Sequence, residues 1–264
     1  MSLSIELYGF SKPTKGPSPS GYCQKLEAFF RAQPSLSNVY IHVPLDQPSK
    51  APKGKLPYIV LINGTGTPLT LPDSQFIINH FISTGLTPSL DASLTPSQRA
   101  ESKAFQVWTD DLAYPAVAFT RFGDTYPANY DKIYNSIALP SVLNYAPFKP
   151  MIMWNMRRHL QGWLWAQGVG RHTKEEVESI ILEWVQAIQA KVGEHGEWFH
   201  RTKQPTQVDV VLTSFLMHYV GMVYNPETVG MIREEKGVVR YTIRAVELWF
   251  PEYEKLLEML RSWL

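Results

Sequence analysis

Near the ninetieth residue the spacing of apolar and polar positions changes from short extended runs to helical steps. Before that point, Ser4 to Tyr8, Asn38 to Val43 and Tyr58 to Ile62 are rich in β-branched and aromatic residues, the composition of strands. Between the first two runs Cys23, Leu26, Glu27 and Phe30 recur at helical spacing, three of the four apolar, and Phe29 widens the stripe. Asn63-Gly64 allows a turn into a further short strand around Thr67 to Leu71, or an irregular loop with Thr65-Gly66. Ser74 to Ser83 carries Phe76, Ile77, Ile78 and Phe81 and reads as a helix. The predicted unit is β-α-β-β-β-α, ending near Gly85.

Thr87 to Pro96, TPSLDASLTP, reads as a linker, and from Ser97 onward the helical period dominates. Phe105, Trp108 and Leu112 mark one long helix whose far end is disturbed by Pro115. Ile152 to Trp165 is a second. A third starts at Thr173, where Thr173 and Glu176 form a capping-box pattern ahead of Val177, Ile180, Ile181, Trp184, Val185 and Ile188. Thr206 and Asp209 repeat that logic before Val210, Leu212, Phe215, Leu216 and Tyr219. A last stripe from Val246 to Leu260 is interrupted at Pro251.

Composition narrows the function classes. With 264 residues, 44% of them hydrophobic, the chain has ample material for a core. A formal charge of +1, with only a mildly basic first third, is too weak for a nucleic-acid surface but suits a small anionic ligand. One cysteine excludes an internal disulfide and a multi-cysteine metal cluster, and the scattered histidines contain no HExxH. No metal is expected. No stretch reaches the roughly 18 apolar residues of a spanning helix, and no basic segment leads into a long apolar run, so a cytoplasmic protein is expected.

Four short motifs fall in order: Ser-x-x-Cys at Ser20 to Cys23, Lys-Leu-Pro at Lys55 to Pro57, Asp-Ser at Asp73-Ser74, and Thr-x-x-Asp at Thr206 to Asp209. Together they resemble the glutathione transferase superfamily, in detail the branch related to fungal glutathione transferases, metaxin and the failed-axon-connections proteins. The resemblance implies an α+β two-domain fold: a thioredoxin-like glutathione-binding domain over residues 1–88, and an all-helical domain over 96–264 that supplies the second-substrate pocket. It also implies a homodimer. Ser20 falls where the family places the residue that meets the glutathione sulfur, with Gly21 where a proline is usual; Cys23, three residues on, is the alternative through its own thiol, and Tyr22, Ser18, Ser11 and Tyr8 are substitutes. Leu56 would pair through its backbone with the cysteinyl part beside a cis Pro57. Asp73 and Ser74 would hold the γ-glutamyl end, and Lys55, or less favourably Lys53, the glycyl carboxylate. Tyr114, Phe119, Phe122 and Arg158 are the implied second-substrate contacts, and the Thr206–Asp209 pair is the family's folding cap.

Residue chemistry agrees with that location. A helix start presents free N–H groups and partial positive charge, so it favours a thiolate, and a Ser20 hydroxyl donated to sulfur favours it further. Each residue also has a plain alternative: Ser20 as a helix cap, Cys23 as buried apolar surface, Lys55 as a solvated loop lysine, Asp73 as an ordinary cap, and the aromatics as core. The expected activity is transfer of glutathione to a bulky apolar electrophile. The long Pro/Ser loop and the segment from Phe122 to Pro150 equally suit a glutathione-dependent cis/trans isomerase of a conjugated natural product in secondary metabolism. A non-enzymatic, metaxin-like interaction protein is the third expectation.

Overall fold

The computed structural model describes residues 3–264 apart from Thr65, Ala138, Pro140 and Val223. The turn anticipated at Asn63 to Gly66 therefore falls partly outside the described residues, as do two positions of the Phe122 to Pro150 segment. Strands β1 (Leu3–Gly9), β2 (Tyr40–Pro44), β3 (Tyr58–Asn63) and β4 (Leu69–Pro72) form one sheet in the order β2-β1-β3-β4. β1 runs parallel to β2, with Ile5 opposite Tyr40, and antiparallel to β3, with Leu7 opposite Ile59; β3 and β4 are antiparallel. Alternation puts Ile5 and Leu7 on the buried face of β1. There they join Leu26, Phe29 and Phe30 of α1 (Gly21–Ala32) and Ile77, Ile78 and Phe81 of α2 (Ser74–Ser83) in the main core. This is the thioredoxin-like arrangement.

A helical layer follows: α3 (Pro96–Trp108), α4 (Tyr114–Phe122), α5 (Pro127–Ser136), α6 (Phe148–Gln167), α7 (Lys174–Val192), α8 (Gln207–Val220), α9 (Pro226–Glu234), α10 (Lys236–Trp249) and α11 (Glu254–Arg261). The long helix anticipated through Leu112 does continue, but through a π-helical turn, Thr109–Ala113, that joins α3 to α4. Its cause lies in backbone hydrogen bonding. Pro115 has no N–H to give the Asp111 carbonyl, and the Tyr114 N–H goes to Thr109, so the carbonyls of Asp110 and Asp111 lack their usual partners. Side chains from elsewhere fill both positions: the Tyr22 hydroxyl donates to Asp110 O at 3.1 Å, and Gln167 Nε2 donates to Asp111 O at 2.6 Å. The irregular turn thereby anchors α1 and α6 to the same point.

α8 is buried along its whole length, and α1 lies against it. Their closeness explains Gly21, where the resemblance led us to expect proline. A Cβ at that position would stand 2.6 Å from two ring carbons of Phe215. Gly21→Ala is expected to lose about 1–3 kcal/mol of stability, the usual cost of overpacking, and Phe215→Leu in the same chain is expected to return part of it. Chemical denaturation of the single and double variants checks this; additive losses would contradict it.

Candidate functional site

Ser20 caps α1. Its backbone is extended and its Oγ accepts from the Cys23 N–H at 3.4 Å, one of the orphan donors of a helix start. The preceding loop, which sequence could not register, is fixed at several points. Ser11 donates to the Asp46 carboxylate from both its N–H, at 2.9 Å, and its hydroxyl, at 2.6 Å. Lys12 forms a buried ion pair with Glu27 at 2.6 Å and reaches the Tyr253 hydroxyl at 3.1 Å. The Ser18 N–H donates to Gln24 Oε1 at 2.8 Å, and the Ser20 N–H donates to Ser18 Oγ at 3.3 Å. Ser20 is thus held in place rather than left on a swinging loop.

Cys23 is buried one turn into α1 and packs with Ala51 and Leu56, ringed by Tyr8, Phe10, Leu45 and Tyr58. Burial pushes its thiol pKa up, against the hydrogen bonds from Ser20, the Phe10 backbone and Ser18 that pull it down. A buried neutral thiol results. The contact with Leu56 brings the start of α1 against the Leu56–Pro57 turn, whose peptide bond is cis. Tyr8 stacks on Tyr58 with ring centroids 4.4 Å apart and gives its hydroxyl to Glu6, so it is engaged within the sheet.

The third component is the start of α2. Asp73 has φ of 76°, a left-handed conformation costly for a residue with a Cβ. Its Oδ1 accepts from Gln75 N at 3.0 Å and from Phe76 N at 3.4 Å, while its Oδ2 has no hydrogen bond among the described residues and the side chain is exposed. Ser74 beside it is buried, and Lys55 is exposed in the loop before Leu56. Two residues that sequence reasoning passed over lie behind this end. Lys25, almost wholly buried on α1, pairs with Asp110 of the π-turn at 3.2 Å. Burial pulls the Lys25 pKa down and the Asp110 pKa up, each opposed by the other's charge, and Asp73 also acts on Lys25. Gln75 and Gln106 meet alongside, joining α2 to α3. A lysine between the apolar positions of α1 gave no signal of this role.

The other anticipated site residues divide. Tyr22 commits its hydroxyl to Asp110 and sits edge-on to Tyr114 at 5.0 Å and to Phe215 at 5.2 Å, so it belongs to the layer junction rather than beside Cys23. Tyr114 is half-buried there and faces Trp163 at 6.2 Å; Phe122 is half-buried at the end of α4. Two others lie apart from that junction. Phe119 is packed in the core against Tyr126, too enclosed to line an open pocket. Arg158 is exposed on α6 with its guanidinium 5.7 Å from the Trp154 ring, because Met153 and Leu164 take the inward face of that helix and turn Arg158 outward.

Behind the loop runs a buried polar chain. His218 Nδ1 lies 3.0 Å from the Ser18 carbonyl and Nε2 lies 3.0 Å from Arg121 Nη1; Arg121 in turn donates to Asn225 Oδ1 at 3.0 and 2.7 Å. A carbonyl only accepts and a guanidinium only donates, so His218 is the neutral Nδ1–H tautomer. Burial first, and the Arg121 charge second, hold its pKa well below the ordinary 6.5. Below that value the unfolded chain takes up a proton that the folded chain refuses, so stability falls on acidification. The cost is about 1.4 kcal/mol per pH unit for one proton. His42 and His200 are lowered as well and add to the slope. His218→Gln is expected to flatten the fall between about pH 7 and 5 by up to one proton. Urea denaturation across that range checks it; an unchanged slope would contradict it.

Residues 21–129 match the family model described as the glutathione S-transferase N-terminal domain. The chain is 28% identical to Failed axon connections of Drosophila melanogaster over 97% of its own length and 60% of that protein. It is 24% identical to the Metaxin-1 homolog of Caenorhabditis briggsae over 64% of its own length and 50% of that protein. The chain therefore spans about half to three fifths of the length of these curated relatives. Among solved structures, a glutathione transferase family member from Pseudomonas fluorescens pf-5, described with two glutathione bound, superposes with a TM-score of 0.56 at 16% identity, covering 97% of this chain and 92% of the other. Residues 21–129 carry the pattern of a glutathione S-transferase N-terminal domain, and the fold of the chain is the one shared by glutathione transferases.

Proposed function

We propose that this chain binds glutathione at the junction of the α1 start, the Leu56–Pro57 turn and the α2 start, and that Ser20 activates its thiol for transfer to an apolar electrophile. The observation that supports this reading is that Cys23 packs on Leu56 while Tyr58 pairs with Pro72, which sets the Leu56–Pro57 turn between the α1 start and Asp73, itself in a left-handed conformation. The donor set suits a zwitterionic tripeptide. The uncommitted Asp73 Oδ2 complements an ammonium, Ser74 and the α2 start complement the γ-glutamyl carboxylate, Lys55 complements the glycyl carboxylate, and Leu56 offers its backbone to the cysteinyl part. Glutathione supplies the nucleophilic sulfur. Ser20 Oγ accepts from Cys23 N, and in this reading its hydroxyl proton turns from the neutral Cys23 thiol to the glutathione sulfur, which lowers the cost of the thiolate. In this reading residues 1–88 bind glutathione and residues 96–264 supply the second-substrate wall around Tyr114 and Phe122.

Reversible addition of the same thiolate to a conjugated alkene would use identical machinery, so isomerisation is a variant of this proposal. A homodimer in the cytoplasm completes it. An interaction-protein reading is favoured by the two curated relatives, whose names state no enzymatic activity. Calorimetry separates the readings. The enzyme reading expects saturable binding of glutathione at millimolar concentration or below, weakened about tenfold or more by Asp73→Ala through loss of a charge-assisted contact. No heat of binding at millimolar glutathione would remove its foundation.

A further inference from the structure

Of the twenty residues of α6 only Met153 and Leu164 are buried. Steps of about 100° per residue gather Met151, Trp154, Arg158 and Trp165 within about 60° of arc on its outward side. Met151 is 59% exposed, Trp154 62% and Trp165 59%, and at the N-terminal end Tyr145, 72% exposed, and Phe148 extend the stripe. Apolar surface of this extent rarely stands free without a partner. Arg157 pairs with Asp124 and Lys174 with Glu178, and the charge left over on this side is positive. From Lys132 to Lys174 the sequence contains six Lys or Arg and no Asp or Glu. Arg158 lies over Trp154 at 5.7 Å and Arg171 over Trp165 at 5.3 Å, and among the described residues neither pairs with a carboxylate.

These features select the occupant. A two-fold pairing of this stripe with a second copy would set Arg158, at its centre, against its own equivalent, so self-association here is opposed by like charge. No described helix is long and apolar enough to cross a membrane, which leaves adsorption along a surface as the mode open to α6. Trp, Tyr, Phe and Met projecting from a convex helix fit a soft boundary that closes around them, and Arg stacked on Trp can keep its charge at the headgroups while its stem lies lower. We propose that α6 docks on an anionic lipid surface, with Met151, Trp154 and Trp165 in the headgroup boundary and Arg158 and Arg171 facing lipid anions. This inference is independent of glutathione chemistry.

The test is flotation of the purified chain with vesicles of phosphatidylcholine alone or mixed with phosphatidylserine, with tryptophan emission recorded in parallel. The expected result is binding to the mixed vesicles at low salt, release as salt rises, a blue shift, and quenching by brominated phosphatidylserine. Trp154→Ala/Trp165→Ala and Arg158→Glu/Arg171→Glu are each expected to weaken binding about tenfold or more, at an unchanged thermal midpoint. Because wild-type quenching and salt release need no variant, a misfolded variant leaves the proposal open to refutation. Absence of binding to the mixed vesicles would overturn it, as would equal binding to phosphatidylcholine alone or full binding by both folded variants. Capture by poly-glutamate without any vesicle binding would overturn it in favour of an acidic protein partner.

Discussion

Asp209→Ala is expected to cost about 3–5 kcal/mol of stability, well above the roughly 0.5–2 kcal/mol of losing a helix cap alone. The difference follows from the number of donors that one carboxylate satisfies. Asp209 accepts from Thr206 N and Thr206 Oγ1, both at 2.7 Å, from Phe199 N at 2.8 Å and from the Tyr241 hydroxyl at 2.7 Å, all buried. It therefore closes the α8 cap and also ties α10 and the Trp198–Phe199 turn to it. Removing it strands several buried donors at once, and each stranded donor carries a desolvation cost. Asp209→Asn keeps one acceptor oxygen and is expected to lose about half as much. Guanidinium denaturation of both variants checks the ranking; a loss for Asp209→Ala within the range of a simple cap would show that the network adds nothing.

Lys25→Met is expected to cost about 3–5 kcal/mol, because it leaves Asp110 partly buried and unpaired. The cost belongs to breaking the pair rather than to the pair's own worth. The double variant Lys25→Met/Asp110→Leu should therefore recover most of the loss. Glutathione affinity is expected to behave differently. Lys25 stands within the field of Asp73, so removing its charge alters the electrostatics at the α2 start, and the double variant should be nearly as stable as wild type yet bind glutathione more weakly. Denaturation and calorimetry on one set of proteins separate the two effects. Recovery of both stability and affinity would make Lys25 purely structural.

Local patterns carried most of the architecture. Alternation around Ile5 and Leu7, the apolar phase of α1 and the Thr173 and Thr206 capping boxes each depend on residues within a few positions, and each element formed where its pattern stood. The break between α10 and α11 falls at Pro251, where the sequence indicated it, whereas α5, α9 and the first part of α10 were not anticipated. The π-turn at Thr109–Ala113 depends on distant side chains, Tyr22 and Gln167, that fill its vacant carbonyls. No local pattern records such partners.

The site shows the same division. Ser20, Cys23, Pro57 and Asp73 stood in short motifs whose order in the chain was visible. Lys25, Asp110, Gln106 and the His218–Arg121 chain are brought together by packing between the two layers, and their roles are set by burial. Arg158 and Phe119 were carried over from the family resemblance, and the helical phase turns one out to solvent and the other into the core.

The central claim is that Ser20 stabilises the thiolate of a bound glutathione, and it is tested most directly by the ultraviolet thiolate absorbance of the protein–glutathione complex as a function of pH. The account predicts about tenfold more thiolate at neutral pH for bound than for free glutathione, and loss of most of that excess in Ser20→Ala, while Cys23→Ala retains it. A complex with no excess thiolate, or an excess that survives Ser20→Ala and vanishes in Cys23→Ala, would contradict it.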